Sequence, residues 1–187
     1  MNVQAQIEEF YDVVIIGAGP VGGYLGWKFK ELGHTVLIVE EHSEIGRPFQ
    51  CAGLVNPGAM ERVPMKNTIL TPIWGARINS PNGTTVDIGS PERIRTWSVC
   101  RKKFDEGVVR LAIESGADII LNSKPTKLDI EKDYAEISIN VGGDICKVRC
   151  DLVCGCDGAH SWVRRTMKMG RPKEMMMGYQ VEVTGYN

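Results

Sequence analysis

Apolar residues along the chain change period several times, and each change marks an element. Val13–Ile16 is an uninterrupted β-branched run, the pattern of a strand buried on both faces. A glycine-broken turn opens a helix that Gly33 closes, and Thr35–Val39 is a second buried strand ending at Glu40. The next twenty residues, EHSEIGRPFQCAGLVNPGAM, carry neither period and form a loop ordered by Ile45, Phe49, Cys51 and Leu54; Asn56-Pro57 then opens a short helix through Glu61. Residues 73–88 alternate on both sides of Pro81-Asn82-Gly83, which predicts a hairpin.

Trp97–Cys100 predicts a short strand, followed by a helix from Arg101 that buries Phe104, Val108, Leu111 and Ala112 and stops at Gly116. Ile119–Leu121 returns as a strand, which gives a second βαβ element. Thr126–Glu131, Ala135–Val141 and Asp144–Val148, joined by Lys132-Asp133 and Gly142-Gly143, predict a β-meander. Asp151–Cys156 is a further buried strand ending in Asp157-Gly158. A helix over Ser161–Met167 follows, and Met177–Thr184 begins another strand, inside which the chain stops, as a truncated chain would. The expected divisions are a lead-in (1–10), a dinucleotide unit with its loop (11–72), an inserted hairpin (73–100), the continued binding domain (101–170) and the start of an incomplete substrate domain (171–187).

Candidate chemistry is concentrated where the first strand ends. Gly17, Gly19 and Gly22 have the spacing G-x-G-x-x-G: the first permits a tight turn, the second a close backbone approach to a pyrophosphate, the third close packing of helix on strand. Gly26 extends that close packing along the helix. The helix N-terminus adds free N–H groups and partial positive charge. Glu40 stands 18 residues after Gly22, near the roughly 20-residue offset of an acid that accepts from ribose hydroxyls and repels a 2′-phosphate. The unit therefore selects FAD or NAD over NADP.

Bulk properties narrow the class. The 187 residues, 43% hydrophobic and 24% charged with a net charge of −1, are ordinary for a globular protein and give no electrostatic case for nucleic acid. No apolar run spans a bilayer and the N-terminus is no secretory signal, which leads to a cytoplasmic expectation. Cys146, Cys150, Cys154 and Cys156 lack the spacing of zinc knuckles and read as small buried strand residues, with no metal site. His34, His42 and His160 have no partners at catalytic or metal spacing and are expected to be structural or exposed.

The glycine turn with Glu40, then Arg101-x-x-Phe104-Asp105, then GCDGAHSWVRR together resemble the flavoprotein superfamily of aromatic hydroxylases and geranylgeranyl reductases. The resemblance implies a Rossmann-like α/β FAD-binding domain of the glutathione-reductase and aromatic-hydroxylase type, with the β-meander and inserted hairpin. It places Arg101 and Asp157-Gly158 near the cofactor. EIGRPFQCAGL, residues 44–54, narrows the likeness to the geranylgeranyl reductase family, especially the archaeal digeranylgeranylglycerophospholipid reductases, and adds Arg47, Cys51 and Ala52 as flavin-site candidates, Cys51 also as a catalytic one. The likeness covers the N-terminal half of such a protein. It implies an FAD-dependent reductase that saturates isoprenoid C=C bonds of membrane lipid precursors, in transient peripheral contact with membrane. Electrons would come from a nicotinamide, a deazaflavin or ferredoxin. An FAD-dependent monooxygenase and an inactive nucleotide-binding fragment are the alternatives.

Overall fold

The computed structural model describes residues 7–48, 51–179, 181, 184 and 185. In chain order the elements are β1 (Phe10–Ile16), α1 (Pro20–Glu31), β2 (Val36–Val39), β3 (Leu54–Val55), α2 (Pro57–Met60), β4 (Ile69–Ile73), β5 (Gly75–Asn79), β6 (Thr85–Gly89), β7 (Thr96–Val99), α3 (Arg101–Glu114), β8 (Asp118–Ile120), β9 (Ser123–Ile130), β10 (Ala135–Val141), β11 (Asp144–Gly155) and α4 (Trp162–Thr166).

The main sheet has the order β8-β2-β1-β11-β10-β9. β8, β2, β1 and the second half of β11 run parallel, while β9, β10 and the first half of β11 form the antiparallel meander. Alternate side chains of the parallel strands supply two cores. Val13, Ile15, Val36 and Ile38 pack with Val109 and Ala112 of α3 on one face. Val14, Ile16, Leu37 and Val39 pack with Ile137, Ile139 and Val148 of the meander on the other. The continuous apolar runs of β1 and β2 are thus buried on both sides, as their pattern requires.

Glycine sets how closely the helices approach. A Cβ on Gly23 would lie 2.8 Å from a Val109 methyl and 2.9 Å from the Val109 nitrogen, and one on Gly26 would lie 2.7 Å from Ile38 Cδ1 and 3.2 Å from Ala112 Cβ. α1 therefore sits against α3 and β2 at a separation that larger residues would not permit. Beyond α3, a three-stranded antiparallel sheet, β3-β7-β4, closes a third core of Met60, Val63, Met65, Val99, Phe104 and Val108. The hairpin β5–β6 pairs only with itself and leaves Ile78, Val86 and Ile88 exposed.

Several sequence expectations change here. The strand before α3 lies in the β3-β7-β4 sheet and the strand after it in the main sheet, so β7-α3-β8 is not a βαβ unit. Asp144–Val148 and Asp151–Cys156 are one strand. No glycine or proline interrupts β11, and residues 149 and 150 pair with β1 on one side and β10 on the other. β9 begins at Ser123, not Thr126, and β4 had no predicted counterpart. Each contains a proline, Pro125 and Pro72, which an edge strand tolerates. Of the strand expected over 177–184, Met177–Tyr179 is exposed irregular chain, while 180, 182 and 183 lie outside the described residues. The ordering residue Phe49 lies outside them too.

The cysteines of β11 are free, and Cys150 is fully buried. Burial pushes its thiol from an ordinary 9.0 up to about 11. A raised pKa in the folded state contributes stability that is complete below pH 9.0 and disappears as the pH climbs to about 11. Urea unfolding followed across that window is expected to show an alkaline decline in stability, and Cys150→Ala should flatten it by about 2 kcal/mol. An unchanged decline in the variant would contradict this origin.

Candidate functional site

The carboxyl ends of β1, β2 and β11 border a cleft of about 630 Å³, within the usual size of a small-molecule site. Its floor is the turn between β1 and α1. Gly17 adopts φ 102°, and a Cβ there would lie 2.5 Å from the Cys156 carbonyl oxygen. The turn is tied down on both sides, Gly17 N–H donating to the Val39 carbonyl (2.8 Å) and Cys156 N–H to the Ile16 carbonyl (2.7 Å). Gly19 caps α1, with nothing within 4 Å of where its Cβ would be. Pro20 follows at the first helical position, where no N–H is needed. Gly22 does not face the cleft. Its Cβ would lie 1.9 Å from the Gly17 carbonyl oxygen, so its role is to let the helix start this close to the turn.

Glu40 forms the wall at the end of β2 and is 8% exposed. Its carboxylate accepts from Ala18 N–H (2.7 Å) through Oε2, and from His42 N–H (3.0 Å) through Oε1, which also meets His42 Nδ1 at 2.6 Å. This acid therefore holds the glycine turn as well as facing the cleft, and His42, expected to be structural or exposed, is its partner at the cleft wall.

The opposite wall comes from the loop after β2 and the start of α3. Arg47, Cys51 and Arg101 line it together, with Asp105 one helical turn behind Arg101. Arg101 donates to Asp105 through Nε (3.0 Å) and one Nη (2.9 Å), and Cys51 lies against the same guanidinium. Burial is the largest single influence and opposes the arginine's charge, but the hydrogen bonds and charge of Asp105 together with Cys51 outweigh it and raise its pKa. Burial likewise raises the Asp105 carboxyl above its ordinary range, against the pull of Arg101. Ala52 is exposed and is not among the cleft walls.

The third wall is Cys156-Asp157-Gly158. Asp157 accepts the Val163 N–H through Oδ2 (3.0 Å), and its Oδ1 is buried without a hydrogen-bond partner among the described residues. Gly158 has φ 74° and open space where a Cβ would stand. Ser161 Oγ accepts the Arg164 N–H (2.9 Å) and caps α4, which fixes the segment after Gly158.

Of the sequence candidates, Gly17, Gly19, Glu40, Arg47, Cys51, Arg101, Asp157 and Gly158 share this one cleft, whereas Gly22 and Ala52 do not. Lys124, His160, Trp162 and Arg165 also line it; Lys124 carried no sequence signal, and the other three were visible only as part of the GCDGAHSWVRR segment. Asp105 was visible only as part of a helical motif. Among the described residues, no group of three or more His, Cys, Asp or Glu side chains is placed to hold a metal ion. Among the same residues, no helix is long and apolar enough to cross a membrane.

A dinucleotide fits these residues. The open position at Gly19 admits a phosphate to the helix start, Glu40 offers acceptor oxygens, and the orphaned Asp157 oxygen awaits a donor. The sequence profile of the family described as FAD binding domain matches residues 83–185. A digeranylgeranylglycerophospholipid reductase of Methanosarcina acetivorans is 36% identical over 85% of this chain, and the match covers 40% of that protein. The chain thus spans about two-fifths of the length of that curated relative. Among solved structures, a geranylgeranyl bacteriochlorophyll reductase-like protein of Thermoplasma acidophilum superposes with a TM-score of 0.69 at 26% identity, over 78% of this chain and 38% of that one. The p-nitrophenol 4-monooxygenase of Pseudomonas putida shares the fold, with a TM-score of 0.74 at 19% identity over 86% of this chain and 44% of that one.

The two turn glycines are expected to respond differently to a methyl group. Gly22→Ala forces a Cβ onto a backbone carbonyl and should lower stability by about 2–3 kcal/mol, whereas Gly19→Ala should melt within a degree or two of the parent. Thermal unfolding of both variants without ligand checks this, and equal melting temperatures would refute the assignment of roles.

Proposed function

The chain belongs to the FAD-binding domain family, and on that premise we propose that it is the cofactor-holding portion of an FAD-dependent reductase that saturates C=C bonds in the geranylgeranyl chains of membrane lipid precursors. The observation that carries the cofactor part is the convergence of the glycine turn, Glu40, Arg101 and Asp157-Gly158 on one cleft. The lipid part rests on the name of the Methanosarcina relative and on the IG-x-P-x-x-C stretch from Ile45 to Cys51.

In this reading Glu40 accepts hydrogen bonds from the ribose hydroxyls of the ADP half, while two of its contacts, to Ala18 and His42, keep the carboxylate pointed at that position. The Gly17–Gly19 backbone and the start of α1 receive the pyrophosphate, with no side chain in the way at Gly19. Arg101 adds positive charge from the opposite wall, and Asp157 Oδ1 accepts from a hydroxyl of the cofactor. Arg47 and Cys51 stand on the loop wall toward the flavin side; Ala52 is left out of the contact set because it is off the cleft wall. FAD, when bound, supplies the hydride for alkene saturation. Residues 171–187 begin the part that meets the lipid, and the membrane contact is peripheral.

Two measurements test the reading. Glu40→Gln keeps the shape but removes the charge, and it should weaken FAD binding about tenfold or more; Gly19→Leu should remove it while leaving the fold intact. For the reaction, a reduced reductase that carries this portion together with its lipid-meeting part is incubated with a geranylgeranyl glycerophospholipid and the product weighed by mass spectrometry. A gain of one hydrogen pair per double bond is the expected outcome, and oxygen-dependent hydroxylation of an aromatic substrate in its place would overturn the proposal in favour of a monooxygenase.

A further inference from the structure

Asp105 is a buried acid in the cleft wall to which the reading above gives no task. It is 6% exposed, on the helix whose Phe104 and Val108 belong to the third core. A carboxylate is an unfavourable filler at such a position, since an apolar side chain of similar volume packs there without desolvating a charge. Both of its oxygens go to one partner, the Nε and one Nη of Arg101, at 3.0 and 2.9 Å. The arginine side chain is 21% exposed, so its guanidinium is held at the border between core and cleft.

We propose that Asp105 is a positioning residue: its two-point grip fixes the plane of the Arg101 guanidinium and so aims the remaining N–H donors at a phosphate of the ligand in the cleft. Guanidinium offers five donors in a rigid fork. Two are spent on Asp105, which leaves the rest with a set direction in place of the freedom of a long flexible side chain. The one-turn spacing places both partners of the grip on α3, while Cys51 of the loop meets the same guanidinium. A phosphate is the ligand chemistry that such a planar, always-charged fork matches best.

This inference rests on the reading that Arg101 faces the cofactor, and the two can fail separately. ADP and adenosine binding are measured by calorimetry on the parent, Arg101→Ala, Asp105→Asn, Asp105→Glu and the double variant Arg101→Ala/Asp105→Asn. Asp105→Asn is expected to weaken ADP binding about five- to tenfold, with adenosine binding and the melting temperature of the free protein little changed. The double variant should bind ADP no worse than Arg101→Ala alone, and Asp105→Glu should restore part of the loss. If Arg101→Ala weakens ADP binding but Asp105→Asn does not, the positioning role is wrong and the cofactor reading stands. If Asp105→Asn weakens ADP and adenosine equally and lowers the melting temperature, Asp105 is structural and the inference falls. If Arg101→Ala leaves ADP binding untouched, the placement of Arg101 at the cofactor fails, and the inference with it.

Discussion

At the head of β1 three stretches of backbone come closer than any side chain allows. The Cys156 carbonyl stands where a Gly17 Cβ would be, and the Gly17 carbonyl stands where a Gly22 Cβ would be. The end of β11, the turn and the first turn of α1 are stacked without an intervening atom, and hydrogen bonds from Gly17 to Val39 and from Cys156 to Ile16 close the stack. Two walls of the cleft are referred to this point. Glu40 reaches it through Ala18, and Asp157-Gly158 leaves directly from it. Only a main chain with glycine at these places forms it, which is why the turn is so sharply specified.

The rest of the cleft is arranged by longer levers. α3 sets Arg101 and Asp105 at the cleft because its body is pinned at Gly23 and Gly26 of α1, two residues whose lack of a side chain is what lets the helices touch. The third core, beneath β3-β7-β4, holds the other side of α3. Moving the N-terminus of that helix by a fraction of an ångström would turn the guanidinium, so packing far from the cleft bears on its charge geometry.

Sequence patterns identified the parts governed by local rules. The buried runs of β1 and β2, the glycine spacing, Asn56 as a helix cap and the hairpin around Pro81-Asn82-Gly83 all depend on neighbours within a few residues, and the structure has each of them. What escaped depends on distant partners. Whether β7 joins the same sheet as β8 is decided by where β3 and β4 lie, and β4 and the first residues of β9 were hidden by prolines that only an edge position excuses. Residues 144–156 look like two strands because their two halves answer to different neighbours. Within the cleft, Glu40 was legible from its offset, whereas His42 was missed because it acts through Glu40 and has no spacing signature of its own.

The continuity of β11 has a consequence for how the protein is made. One wall of the glycine turn is the carbonyl of Cys156, and the strand that ends there is held in place by a meander that starts at Ser123. The turn, although its glycine spacing is local, has no counterpart to close against until β11 is in place. The cleft is therefore assembled by contacts between stretches far apart in the sequence, the kind that form slowly.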